Sequence, residues 1–179
     1  MTNDKLEAAR TGTRFIGTLT EHSANGGKKE GDRDLAGKDL SGADFVEANL
    51  TGADLTRARL TGADLTGAYL TGANLSGADL TGADLTEAHL NDADLRGVNL
   101  TGANLTEARI IDANLSGADL TRANLTRVNL TRVNLTGADL TRANLSGANL
   151  TRANLTGANL SSADLSHIIG ADLSGAILE

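Results

Sequence analysis

The feature that most constrains this chain is a spacing. From Leu35 to Leu165 every fifth residue is large and apolar: 25 of the 27 positions are Leu, and the other two are Phe45 and Ile110. Two residues earlier stands Ala in 22 of the 27 units and Val in three (Val98, Val128, Val133). The residue just before the Leu is Asp or Asn in 23, and the one after it is Thr or Ser in 22, followed mostly by Gly or Arg. A helix wants apolar residues at intervals of three and four, a strand at intervals of two. A spacing of five smears around the first and flips between the faces of the second, so the chain must turn every few residues. Gly, Asn, Asp, Ser and Thr suit such turns, through positive φ or through side chains that bond the neighbouring backbone. Ala and Leu, two apart, point to the same side of a short extended stretch, with the polar residue between them pointing out. One small and one large apolar residue per unit then fill the core, which describes a narrow solenoid whose coils stack by backbone pairing.

The composition fits that core. The chain of 179 residues has two Phe, one Tyr and no Trp, Pro or Cys; aromatics would overfill a core built of Leu and Ala. A net charge of −7 disfavours wrapping nucleic acid through phosphate contacts. The absence of Cys excludes a disulfide scaffold, a thiolate zinc site and a Cys nucleophile. Residues 1–20 contain no apolar run of signal-peptide length and nowhere do 18 apolar residues follow one another. A cytoplasmic protein without membrane contact is expected.

The units ADLTG, ANLTR and ANLSG resemble the pentapeptide repeat family, whose motif is A-(D/N)-L-x-x, over residues 33–165 almost without interruption. The resemblance implies an all-β fold, a right-handed quadrilateral parallel β-helix with one pentapeptide per side and 20 residues per coil. On that geometry the 27 units make between six and seven coils, a rod of roughly 30 Å at the spacing of paired strands. Thr, Ser and Asn ladders are expected to hydrogen-bond between coils, and each coil to be supported by the next.

A solenoid leaves an open core and an unpaired edge at each end. Residues 1–32 lack the repeat and are expected to form an N-terminal cap and polar loop. Asp4 to Arg10 reads as a short helix, Arg14 to Leu19 as a short strand, and Glu21 to Asp32 as a Gly-rich loop, with Phe15, Ile16 and Leu19 covering the first coil. Residues 33–165 form the β-helix and 166–179 a C-terminal cap in which the frame slips. Leu165 to Leu173 is eight residues, either three inserted or two deleted. The tail carries Ile168, Ile169, Leu173, Ile177 and Leu178, which make it either a compact cap or a face for a homodimer.

Nothing in the sequence converges toward chemistry. His22, His89 and His167 have no metal-ligand partner at a recognised spacing, and no H-E-x-x-H, EF-hand loop or nucleophile elbow occurs. Asn25 to Lys29 (NGGKK) lacks the spacing and the Ser/Thr of a phosphate loop. The chain reads as a non-enzyme with no cofactor and no metal.

The informative residues break the consensus on the outside. Before the Leu, Arg59, Tyr69, His89 and Arg109 replace Asp or Asn. With 20 residues per coil, Tyr69, His89 and Arg109 stack in one column, Glu87 and Glu107 form a ladder along one adjoining corner, and Asp92 and Asp112 another. These seven residues are the candidate partner-binding face, with Arg109 placed to offset repulsion between the ladders. Charge also drifts along the axis. Residues 41–120 hold 12 acids and 4 Arg, a net of −8, and residues 121–165 hold 2 Asp and 5 Arg, a net of +3. Glu107 with Arg127 and Asp112 with Arg132 are opposite charges one coil apart at the boundary.

Two functions follow. One is a scaffold that binds a protein partner whose identity the sequence does not carry. The other is DNA mimicry: some family members resemble a duplex, bind type II topoisomerase (gyrase) and confer quinolone resistance. The five Arg of residues 121–165 and the lack of an interrupting loop depart from that pattern. Recognition of a regular lattice such as ice is a third class, weakened because Thr and Ser recur on every side alike.

Overall fold

The computed structural model describes residues 34–179; the helix, strand and loop predicted for residues 1–32 lie outside the described residues. Each residue that precedes the central Leu forms a single parallel bridge with its counterpart 20 residues on: Asp34 with Asp54, Asp39 with Arg59, Asp44 with Asp64, and Asn49 with Tyr69. Repeated along the chain, these bridges make four columns, so one coil is 20 residues with four sides. Leu50 N donates to Tyr69 O at 2.8 Å, Tyr69 N to Ala48 O at 2.9 Å, and Gly52 N to Thr71 O at 3.0 Å. The extended stretch is a single bridge long because the chain then turns: Ala53 N donates back to Leu50 O at 3.0 Å. Gly52, the third residue of that turn, has φ 63°, the type II geometry.

The same turn recurs at every corner, and it does not always receive the residue it prefers. Among the described residues thirteen that are not glycine occupy its third place, with φ between 54° and 61°. L-residues there carry a penalty of roughly 1–2 kcal/mol from the Cβ.

The Asp or Asn before each Leu holds the turn from outside. Thr56 N donates to Asp54 Oδ1 at 3.0 Å and Thr56 Oγ1 to the same oxygen at 2.6 Å, an Asx turn. These two donors, the hydroxyl first, hold the Asp54 carboxyl below the usual carboxylate range. Hydroxyls therefore bond mostly inside their own unit, where an acceptor lies two residues back. The expected bonding between coils is carried instead by Asn: Asn104 Nδ2 reaches Thr86 Oγ1 at 2.8 Å, and Asn124 Nδ2 reaches Thr106 Oγ1 at 2.9 Å. Hydroxyls cross between coils at a few places, as Thr61 Oγ1 does to Asp79 Oδ2 at 3.2 Å and Ser166 Oγ to Ser146 Oγ at 3.0 Å.

Inside, Leu stacks on Leu and Ala on Ala, and from Leu35 to Leu160 these side chains are buried, with no buried polar residue among the described residues. At the other end the register changes. Ile169 still pairs with Asn149, 20 residues back, but Ile177 pairs with Asn159, 18 back, so the slip is two residues lost. The missing two are the turn between Gly170 and Ala171. Gly170 (φ 66°) cuts this corner so closely that a Cβ there would lie 3.0 Å from Thr151 Cα. The tail's apolar residues separate accordingly. Ile168 and Leu173 are partly buried against the core, whereas Ile169 and Ile177 stand in the outward Asp/Asn places and are more than half exposed. Leu178 is half exposed at the end of the last coil.

Candidate binding face

The four sides differ only in what replaces the repeat. The side that starts at Asn49 carries Tyr69, His89 and Arg109 in three successive coils, joined by bridges from Tyr69 to His89 and from His89 to Arg109. The Tyr69 and His89 rings lie with centroids 5.0 Å apart, tilted by 44°, and Tyr69 is 46 % exposed.

These substitutions remove structural bonds. Elsewhere in the same column Asn49, Asn129 and Asn149 accept from the backbone N–H of Thr51, Thr131 and Thr151 at 3.0–3.1 Å. Tyr69 and Arg109 offer no acceptor in that place. Below Arg109 the loss is made good from the coil before, where Asn91 Oδ1 accepts from Ile111 N at 3.1 Å. No periodicity signals Asn91; the signal is an Asn where Thr is usual, next to the column that breaks the rule.

The two corners that flank this side concentrate the backbone strain. Of the thirteen non-glycine residues at positive φ, nine lie on them: Glu47, Glu87, Glu107, Arg127 and His167 on one, Asp92, Asp112, Arg132 and Arg152 on the other. Arg132 grips Asp112 with two bonds, Nε to Oδ1 at 2.6 Å and Nη2 to Oδ2 at 2.5 Å, and this guanidinium holds the Asp112 carboxyl below its ordinary range. Arg127 Nη1 lies 3.3 Å from Glu107 Oε1. Both pairs follow the axial charge pattern of the sequence. Arg109, expected to offset the acidic ladders, makes no ion pair within 4 Å among the described residues; Arg127 and Arg132 occupy Glu107 and Asp112 from the next coil. A shallow open groove runs along the first corner from Glu107 past Arg127 to His167, where Gly147 leaves a gap in the row of side chains.

Among the described residues no three His, Cys, Asp or Glu side chains gather as metal ligands would, and no helix is long and apolar enough to cross a membrane. The remaining departure before a Leu, Arg59, belongs to the Asp39 column, apart from Tyr69, His89 and Arg109.

Comparison with known proteins gives one consistent picture. No curated protein matches the chain. Among solved structures, a pentapeptide repeat protein involved in heterocyst differentiation regulation from the cyanobacterium Nostoc sp. strain PCC 7120, HetL, is 41 % identical. The match covers 81 % of this chain and 68 % of that one, with a TM-score of 0.48. A second Nostoc pentapeptide repeat protein, alr5209, is 37 % identical over 54 % of this chain and 84 % of its own, with a TM-score of 0.46. QnrB1, a plasmid-mediated fluoroquinolone resistance protein, is 22 % identical over 81 % and 76 %, with a TM-score of 0.38. The model of pentapeptide repeats matches residues 33–62, 63–102, 103–142 and 138–179, and with that coverage the chain belongs to the pentapeptide repeat family.

Proposed function

We propose that this protein is a non-enzymatic scaffold, a right-handed quadrilateral β-helix that binds a protein partner through the side bearing Tyr69, His89 and Arg109 and its two charged corners. The observation that carries the reading is where the fold gives up stability. The three residues before the Leu on this side forgo the Asx acceptor, and nine of the thirteen strained turn residues flank it. Strain gathered on one surface is a mark of a surface used for something other than folding. An exposed Tyr between charged rows is also the kind of anchor that protein interfaces favour.

The test separates stability from binding. Changing Tyr69, His89 and Arg109 together to Asn restores the missing acceptor at 69 and 89, Ile111 N being already bonded to Asn91, so the triple variant is expected to be more stable in urea unfolding, by about 1 kcal/mol for each of these two bonds. It is also expected to lose a partner that the unchanged protein captures from its source cell. Unchanged stability together with unchanged capture would return this side to ordinary surface.

Mimicry of DNA toward type II topoisomerase is the competing reading. Stacked carboxylates at Asp44, Asp64 and Asp84 favour it, and the Arg-bearing corners after residue 121 oppose it. Gyrase supercoiling with micromolar protein decides: neither inhibition nor protection from quinolone removes that reading.

A further inference from the structure

We propose that the partner of this face is a second copy of the chain, lying antiparallel and side by side along the same surface. The inference rests on the reading of this side as a binding face, and it comes from a symmetry in the charges. The corner after the column reads Asp92, Asp112, Arg132, Arg152 in four successive coils, and the corner before it Glu87, Glu107, Arg127, Gly147. Both change sign at one level, between the coil of Arg109 and the coil of Asn129. A second rod turned end for end about a two-fold axis at that level sets acid against base all along. Asp112 meets the partner's Arg132, Asp92 meets the partner's Arg152, and Glu107 meets the partner's Arg127.

The same operation pairs the apolar residues. Ile169 stands in this column, bridged to Asn149. It lies as many coils beyond the axis as Tyr69 lies before it. Tyr69 and Ile169 are two of the four large apolar side chains exposed among the described residues, 46 % and 57 %. In the antiparallel pair each Tyr69 packs on the partner's Ile169, one such contact at either end.

A parallel pair, related by a two-fold along the rod, would set Asp92 on the partner's Glu87 and Arg132 on the partner's Arg127, acid on acid and base on base, so the charges specify direction as well as contact. The four acids and four Arg of coils 87–152 on this side cancel, so the strip carries none of the chain's net charge of −7. Among the described residues neither Asp92 nor Arg152 has an ion-pair partner within 4 Å, unlike Asp112 and Arg132, which pair with each other. No other side is arranged this way. The corner that starts at Gly37 carries only Arg57 and Arg96, and the one that starts at Gly42 only Arg122 and Arg142. The strip is one side of the coil wide and five coils, about 24 Å, long, well short of the roughly 800 Å² per partner of a standard interface. The dimer is therefore weak, with Kd on the order of 10⁻⁵ to 10⁻³ M, and it weakens with salt.

Sedimentation at low salt reads the mass. Asp92→Arg and Arg152→Asp are each expected to reduce the dimer at least fivefold in affinity, and D92R/R152D together to restore it. In one chain the two positions are about 14 Å apart, so only contact between chains can produce the rescue. The chain has no Cys, so Tyr69→Cys mixed with Ile169→Cys is expected to give an oxidised, covalent heterodimer, with little of either homodimer. A wild-type protein that stays monomeric at millimolar concentration and low salt, a double variant as weak as the singles, or preferential linking of I169C to itself through the C-terminal end would each overturn the proposal. A stability gain in the triple Asn variant beside a monomeric wild type would keep the binding reading and remove this one.

Discussion

Asp and Asn share the place before the central Leu because both present an oxygen to the backbone two residues on, and what separates them is charge. At Asp54 and Asp79 the donors aimed at the side chain stabilise the carboxylate. The hydroxyl and N–H of Thr56 hold Asp54 below its ordinary pKa, and the hydroxyl of Thr81, with smaller help from its N–H, Thr61 and Arg59, does the same for Asp79. A carboxyl lowered in the folded state stabilises the fold above its unfolded value of about 3.9 and loses that contribution as pH falls through the folded value. The urea midpoint is therefore expected to hold from pH 7 to about 5 and to fall below about 4. Asp54→Asn, which keeps the acceptor and removes the charge, should match the wild type at pH 3 more closely than at pH 7; equal differences at both would refute the account. The role of Asp and Asn was legible from residue type alone. The place after Thr was not, because Arg there conceals what Gly there announces: a backbone at positive φ, visible at Arg57 or Arg152 only once φ itself is known.

At the scale of the coil, the corner rather than the strand is the unit that fails first. Gly82 (φ 64°) has open space where a Cβ would go, so Gly82→Ala meets only the conformational penalty, roughly 1–2 kcal/mol. Gly170 has the same φ with Thr151 beneath it, backbone included, so Gly170→Ala must also push the last coil off the one before. Hydrogen exchange is expected to show the amide of Ile177, which bonds to Ala158 O at 2.8 Å, losing protection in Gly170→Ala and keeping it in Gly82→Ala. Equal protection in both would mean that the last coil is not held at this corner. The slip itself was legible as a change of frame. Its direction was not, because three residues gained and two lost give the same frame modulo five, and only the pairing of Asn159 with Ile177 separates them. Ile169, still in register with Asn149, and Ile177, beyond the slip, both stand in outward places, so the apolar residues of the tail are divided between core and surface.

Across the whole molecule the core repeats in fives and the surface in twenties, and the two periods can be tested apart. Removing residues 116–120 deletes one unit of the repeat, leaves Leu on Leu and Ala on Ala throughout, and moves everything beyond it one side round the rod. The core is indifferent, so cooperative thermal unfolding is expected to survive with little change. The face is not: Arg132 and Arg152 leave the corner of Asp92 and Asp112, which is left without a base, for that of Glu107, and Ile169 leaves the side of Tyr69. Inserting one complete coil of 20 consensus residues at the same point restores the alignment and lengthens the rod by about 4.8 Å. Self-association at low salt is therefore expected to weaken in the five-residue deletion and to persist in the 20-residue insertion, with both proteins folded. This difference explains why the fold was so much more legible than the site. Twenty-seven repetitions of one spacing state the core many times over, whereas the face is stated once, in residues that touch only after the coil has closed. Loss of association in both variants, or undiminished association in the deletion, would show that what holds two rods together does not depend on which residues share a side.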